Sequence, residues 1–317
     1  MFNRFLHPTA TAAAPPQATG STPPLSVQMS VSATDQPTAP LPAPPLLFAF
    51  DFDWTLVDED SDRFIFSELS PPALEKLYKD HKLKQWTDLM DELHGDLYTA
   101  RVPSLTLMDT WRRMPFNPAT AAALRLAATQ TAANGPHHLI ILSDANTVAI
   151  DAILKHHGLR DLFRVVITNP ARFDNEGRLR VERLIPADGV QHDCANGCAV
   201  NICKGKFLNE YIATHGPFAS VIYAGDGKND LCPAMTLRAR DYVLPRTGHT
   251  LAKLLCPPGS AEAGATVSAG NNKPEPENAV PIGARERVSA SIRAWATGED
   301  LLEVVKGILL AEEQASA

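Results

Sequence analysis

No run in this 317-residue chain approaches the ~18 consecutive apolar residues that a membrane-spanning helix requires, so insertion into a bilayer is not expected. Basic charge is also short: 29 Lys and Arg stand against 36 Asp and Glu, a net charge of −7, which lacks the basic footprint of a nucleic-acid-binding surface. There is no apolar signal-peptide core, no repeat of solenoid period, and no glycine-rich loop of the dinucleotide or P-loop type. Five cysteines in a chain that reads as cytosolic argue against a disulfide framework. What remains is an acidic chain of ordinary apolar content, 44%, long enough to bury one full core and a small accessory region.

The first 45 residues are rich in Pro, Ala, Thr, Ser and Gln and have too little apolar surface to order themselves. They read as a flexible tail. The absence of acids before Asp35 would suit a transit peptide, but Arg4 is the one strongly basic residue there. The expected location is therefore cytoplasmic, with an organelle as the alternative. A second low-complexity stretch, residues 257–281, reads as a surface insertion in a domain spanning residues 46–313.

Residues 46–53, LLFAFDFD, form an apolar segment of strand length that stops at two carboxylates. That pattern predicts a buried parallel strand whose carboxyl end opens onto a site. Residues two apart in a strand point the same way, so Asp51 and Asp53 face one volume, where two anions repel unless a cation lies between them. A hard, oxygen-seeking ion such as Mg²⁺ resolves the repulsion. Thr55 adds a hydroxyl near whatever anion the ion holds. The bland alternative is that both aspartates only cap a helix or form a turn.

Two further strands end in the same way. His138 to Leu142 runs into Ser143, Asp144 and Asn146, and Ser220 to Ala224 runs into Gly225, Asp226, Gly227 and Asp230. The Gly-Asp-Gly turn permits close backbone approach, and Asp226 and Asp230 are suited to completing a metal site. Between them Lys204 and Lys206 open a predicted helix, and either offers a cation for a phosphoryl oxygen.

In order, residue type and strand context these four segments resemble the haloacid dehalogenase superfamily of phosphohydrolases. DFDWT at residues 51–55 looks like the first motif, Ser143 the second, Lys204 the third, and GDGKND at residues 225–230 the fourth. Trp54 departs from the pattern, standing where many relatives carry glycine. FDFDWTLVDEDSD, ILSDAN, CANGCAVNICKGK and YAGDGKNDLCPA look closer still to the phosphoethanolamine/phosphocholine phosphatase branch, which also includes a pyridoxal phosphate phosphatase. The likeness covers roughly residues 46–250 and resumes more weakly over residues 288–310.

The resemblance implies an α/β fold: a Rossmann-like parallel sheet flanked by helices, with a small helical cap inserted after the first strand. Helical spacing of apolar residues, from Phe64 through Leu77 and Tyr78 to Leu97, places that cap at about residues 60–114. It implies Asp51 as nucleophile and Asp53 as acid and base, with Thr55, Ser143 and Lys204 on the phosphoryl oxygens. Mg²⁺ would be held by Asp51, the Asp53 carbonyl, Asp226 and Asp230. Asp62 and Asp144 match positions that bind a cationic amine head, although each also suits a helix cap.

The expected activity is Mg²⁺-dependent hydrolysis of phosphoethanolamine or phosphocholine through an aspartyl-phosphate. The alternatives are pyridoxal phosphate, pyrophosphate or another small phosphate, a phosphotransferase, and a non-catalytic phosphometabolite-binding module. The expected partner is a small phosphomonoester, with no nucleic acid and no membrane. Cys194, Cys198 and Cys203, with His192 upstream, fit three readings: reduced thiols, a structural metal site of non-standard spacing, or a redox pair.

Overall fold

The computed structural model describes residues 43–256 and 283–316. The predicted tail, up to residue 42, and the predicted insertion at 257–281 lie outside the described residues.

Strand β1 (Leu47–Phe50) has every one of its residues buried. After it come five helices, α1 (Ser61–Leu69), α2 (Pro71–Asp80), α3 (Trp86–Thr99), α4 (Ser104–Arg112) and α5 (Pro118–Thr129), then a short hairpin of β2 (Thr131–Ala132) and β3 (Gly135–Pro136). The chain continues through β4 (His138–Asn146), α6 (Thr147–His156), β5 (Val165–Asn169) and a second hairpin, β6 (Ala171–Phe173) with β7 (Leu179–Val181). It closes with α7 (Lys204–His215), β8 (Val221–Gly225), α8 (Leu231–Thr236), β9 (Tyr242–Pro245), α9 (Thr250–Leu255), β10 (Ser291–Ile292) and α10 (Gly298–Ser316).

Six strands make one parallel sheet in the order β10-β9-β8-β1-β4-β5. β1 pairs with β4 on one side and β8 on the other, so the order reverses across it, and ligand crevices form at such a switch point. Alternation divides the core. Phe48, Phe50, Leu139 and Ile141 pack with the α1–α6 side and α10, while Leu47, Ala49, Ile140 and Leu142 pack with Leu208 of α7, Ala234 of α8 and Leu251 of α9. Burying both faces is what makes the strand sequences nearly continuous in apolar residues.

The helical insertion after β1 matches the expected architecture, with α1–α4 covering residues 61–112. Asp60 starts α1 by accepting from the Asp62 and Arg63 N–H groups, and Ser70 followed by Pro71 starts α2. α3 is tied to the β6–β7 hairpin through Asp91, whose carboxylate accepts from Arg178, Arg180 and the Val181 N–H. Two details differ from the sequence reading. Tyr78, counted in the apolar stripe, is 55% exposed and carries the Arg63 guanidinium 5.8 Å from its ring centroid. β4 does not stop at Leu142 but runs on to Asn146, with its pairing to β5 shifted in register after Leu142.

Candidate active site

Asp51 is delivered to the sheet edge by β1, its N–H still donating across to the Ala224 carbonyl at 2.9 Å. Its Oδ1 accepts from the Phe52 N–H at 2.7 Å and lies 2.8 Å from Lys204 Nζ. Lys204, the first residue of α7, is only 1% exposed and reaches Asp230 Oδ1 at 2.8 Å as well. Lys206, the other lysine of the pair, is exposed and lies 3.8 Å from Glu210 on its own helix.

Asp230 is fully enclosed and saturated. Oδ1 accepts from Lys204 and from the Tyr223 hydroxyl at 2.6 Å, and Oδ2 accepts from the N–H groups of Asp226 and Gly227 at 3.0 and 2.8 Å. This clasp requires Gly225, since a Cβ there would run into the Asp230 carboxyl. Asp226 accepts from His249 Nδ1 at 3.0 Å when that nitrogen bears the proton. One carboxylate oxygen each of Asp51, Asp226 and Asp230 lies within 4.8 Å of the others. Three hard oxygen donors converging beside a single lysine suit a divalent cation such as Mg²⁺.

A second group gathers at the start of α1. Asp53 Oδ1 accepts from the Ser61 N–H at 2.8 Å and Oδ2 from the Ser61 hydroxyl at 3.2 Å, while the Ser61 carbonyl accepts from Trp111 Nε1 at 3.1 Å. Asp62, 2% exposed, accepts from Trp86 Nε1 at 2.9 Å, and Asp144 accepts from Asn229 Nδ2 at 2.7 Å. Neither carboxylate caps a helix: Asp60 caps α1 and Asn146 caps α6. Thr55 Oγ1 is buried with no hydrogen-bond partner, and the buried Ser143 Oγ accepts from the Ala145 N–H at 3.2 Å.

Burial dominates the electrostatics. It pushes Asp51 well above the usual aspartate range against the pull of Lys204, and Asp53 well above it with help from Asp60 and Asp62. Burial and then Asp60 raise Asp62 to about 7. Asp144 and Asp226 are raised by burial, Lys204 opposing at the first and the His249 hydrogen bond at the second. Burial works against the charge on Lys204, but the carboxylates of Asp230, Asp51 and Asp144 outweigh it and raise its pKa.

Several neighbours escaped the sequence reading. Tyr223 was one apolar-strand residue among others; His249 sits far along the chain from Asp226. Arg246 donates to the Trp54 carbonyl at 2.8 Å and pairs with Asp58. Trp54 itself has φ 55, the left-handed conformation that glycine takes without cost, and its ring is tilted against His249 at 5.6 Å.

The profile of the family described as "Putative Phosphatase" matches residues 46–309. A zebrafish (Danio rerio) protein named "Probable phosphatase phospho1" is 30% identical over 83% of this chain and 86% of its own length. "Inorganic pyrophosphatase 2" of Arabidopsis thaliana is 29% identical over 84% and 86%. "Pyridoxal phosphate phosphatase PHOSPHO2" of Bos taurus is 33% identical over 66% and 86%.

Proposed function

The chain belongs to the Putative Phosphatase family and is a phosphatase of the haloacid dehalogenase type, and from that premise we propose that it hydrolyses a small phosphomonoester of the pyridoxal phosphate kind through an aspartyl-phosphate on Asp51, with Mg²⁺ bound. Its nearest rival substrate is pyrophosphate. The observation that carries the chemistry is the buried Lys204, held between Asp51 and Asp230 at 2.8 Å from each, beside Asp226.

Lys204 and the Phe52 N–H fix the Asp51 carboxylate, which attacks phosphorus as the bond to the leaving oxygen breaks in line. Asp53, whose pKa is raised by burial, would give a proton to the leaving oxygen. As a carboxylate it then takes a proton from the water that attacks the acyl phosphate, releasing phosphate and restoring Asp51. Thr55, Ser143 and Lys204 would bind the phosphoryl oxygens; a buried Thr55 hydroxyl without a partner is what an incoming oxygen would satisfy. Asp51, the Asp53 carbonyl and Asp226 would hold Mg²⁺, which neutralises charge on the phosphoryl group when bound. Asp230, with both oxygens already accepting two hydrogen bonds each, would act through water and by orienting Lys204.

Two features favour pyridoxal phosphate over an amine head group. Several relatives bear that name, and each acid that would bind an amine already accepts one hydrogen bond from a neutral donor, Asp62 from Trp86 and Asp144 from Asn229, although Asp62 Oδ1 is buried without a partner. The concentration of Asp60, Asp62 and Asp144 keeps phosphoethanolamine or phosphocholine as the second reading. The test is phosphate release from pyridoxal phosphate, pyrophosphate, phosphoethanolamine and phosphocholine, with and without Mg²⁺, for the native protein and Asp51→Asn. Mg²⁺-dependent release that is fastest from pyridoxal phosphate and lost in the variant is expected. A preference for phosphoethanolamine that falls on Asp62→Asn would overturn the substrate assignment, and undiminished turnover by Asp51→Asn would overturn the nucleophile.

A further inference from the structure

Four cysteines take no part in the chemistry above, yet they converge on one point. Cys194 and Cys198 lie in the loop before α7, Cys203 immediately precedes that helix, and Cys232 is the second residue of α8. Their sulfurs all lie within 4.8 Å of one another. Cys194 and Cys232 are 3.5 Å apart, Cys198 and Cys203 3.7 Å, and Cys203 and Cys232 3.7 Å. A disulfide would need about 2.05 Å, so these are separate thiols. A tetrahedron with Zn–S bonds of about 2.3 Å has S–S edges of about 3.8 Å, which is the spacing seen.

The surroundings are built to that spacing. A Cβ on Gly205 would lie 2.7 Å from Cys232 Sγ, so only glycine lets the first turn of α7 approach this sulfur. Asn196 Nδ2 points at Cys232 Sγ from 3.4 Å and is itself held by Arg287 through its Oδ1. His192, the ligand that sequence spacing suggested, is not part of the cluster: Nδ1 accepts from the Cys194 N–H at 3.2 Å, and Nε2 faces the Ala199 carbonyl at 2.7 Å. The fifth cysteine, Cys256, lies outside the cluster.

We propose that Cys194, Cys198, Cys203 and Cys232 bind one zinc ion as a closed tetrathiolate site. Each ligand loses its thiol proton on loading, and with four sulfur ligands no position is left for substrate, so the site is structural. It pins two segments of the active site together. Cys203 is the neighbour of Lys204 and Cys232 follows Asp230 by two residues, so the ion would set the approach that brings Lys204 Nζ to 2.8 Å from Asp230. Sulfur ligation selects a soft metal, and this centre is therefore independent of the Mg²⁺ site formed by carboxylates.

Elemental analysis of the full chain, purified without added metal, tests the proposal. About one zinc per chain is expected, released in step with titration of the thiols by a mercurial. Cys194→Ser and Cys198→Ser should lose it while Cys256→Ser keeps it, and Co²⁺ replacement should give thiolate charge-transfer bands and the d–d bands of a tetrahedral ion. Native protein that is free of zinc with the four cluster thiols titratable, that holds iron instead, or that shows a disulfide among these residues by mass spectrometry would overturn it. The native measurements decide the matter even if the serine variants fail to fold, and they do not depend on phosphatase activity.

Discussion

Asp62→Asn should make the protein more resistant to rising pH. Asp62 is 2% exposed and its pKa is lifted from 3.8 to about 7, first by burial and then by Asp60. An acid whose folded pKa is raised keeps its proton in the native state over a range where the unfolded chain has lost it. Its contribution is therefore most favourable below pH 4, declines as pH rises towards 7, and is flat above. A gap of about three pH units, at about 1.4 kcal/mol each, bounds the total cost at about 4 kcal/mol, of which about 2–3 kcal/mol falls between pH 5 and pH 8. Asparagine resembles the protonated acid in shape and can still accept from Trp86 Nε1, so the variant escapes this slope. Neighbouring acids titrate in both proteins, so the comparison isolates Asp62 together with its coupling to them. The assay is urea unfolding of both proteins at pH 5 and pH 8 without added Mg²⁺. The stability difference should shift by about 2–3 kcal/mol in favour of the variant at the higher pH. No shift, or one of opposite sign, would show that Asp62 is ionised throughout and refute the electrostatic description of this pocket. A kinetic companion follows, because Asp62 is also one of the charges holding Asp53 up. Removing it lowers the Asp53 pKa, and the basic limb of the pH–rate profile should move to lower pH.

That pocket also marks the boundary of what the sequence made legible. Strands ending in acids were readable because each signal is local: an apolar run sets the buried strand, and the first polar residue after it falls at the sheet edge. Hence β1 with Asp51, β8 with Asp226, and the helix opened by Lys204 are all legible in the sequence. The identity of the cap was not, because Asp60 and Asp62 are both suitable and only the backbone angle at residue 60 selects between them. Tyr223 sits in a strand buried throughout, where a tyrosine reads as core, and its hydroxyl gains meaning only through Asp230 in the following turn. Cys232 is separated from Cys203 by α7 and β8, so the fourth sulfur enters the cluster only once the parallel crossover returns the chain to the same edge. The exposure of Tyr78 has a similar origin: helical period assigns a face, but the partner for that face is supplied by tertiary packing.

Substitutions at two further positions probe how the site is held. Tyr223→Phe removes a 2.6 Å donor from the fully buried Asp230 and should cost about 1–3 kcal/mol in urea unfolding, with kcat reduced; an unchanged midpoint would mean that Lys204 and the two backbone N–H groups already satisfy Asp230. Asn201→Ala should cost more, about 3–5 kcal/mol, because three connections fail at once. Asn201 Nδ2 donates to Thr87 Oγ1 at 3.1 Å on the helical insertion and to Asn169 Oδ1 at 2.7 Å at the end of β5, while its Oδ1 accepts from the Ile185 N–H at 2.9 Å. The residue also sits at φ 88, where a Cβ is strained, so Asn201→Gly should recover about 1 kcal/mol of the loss. Recovery in glycine separates backbone strain from the hydrogen bonds. If alanine and glycine are equally stable and both lie within about 1 kcal/mol of the native protein, this buried amide does not join the insertion to the sheet.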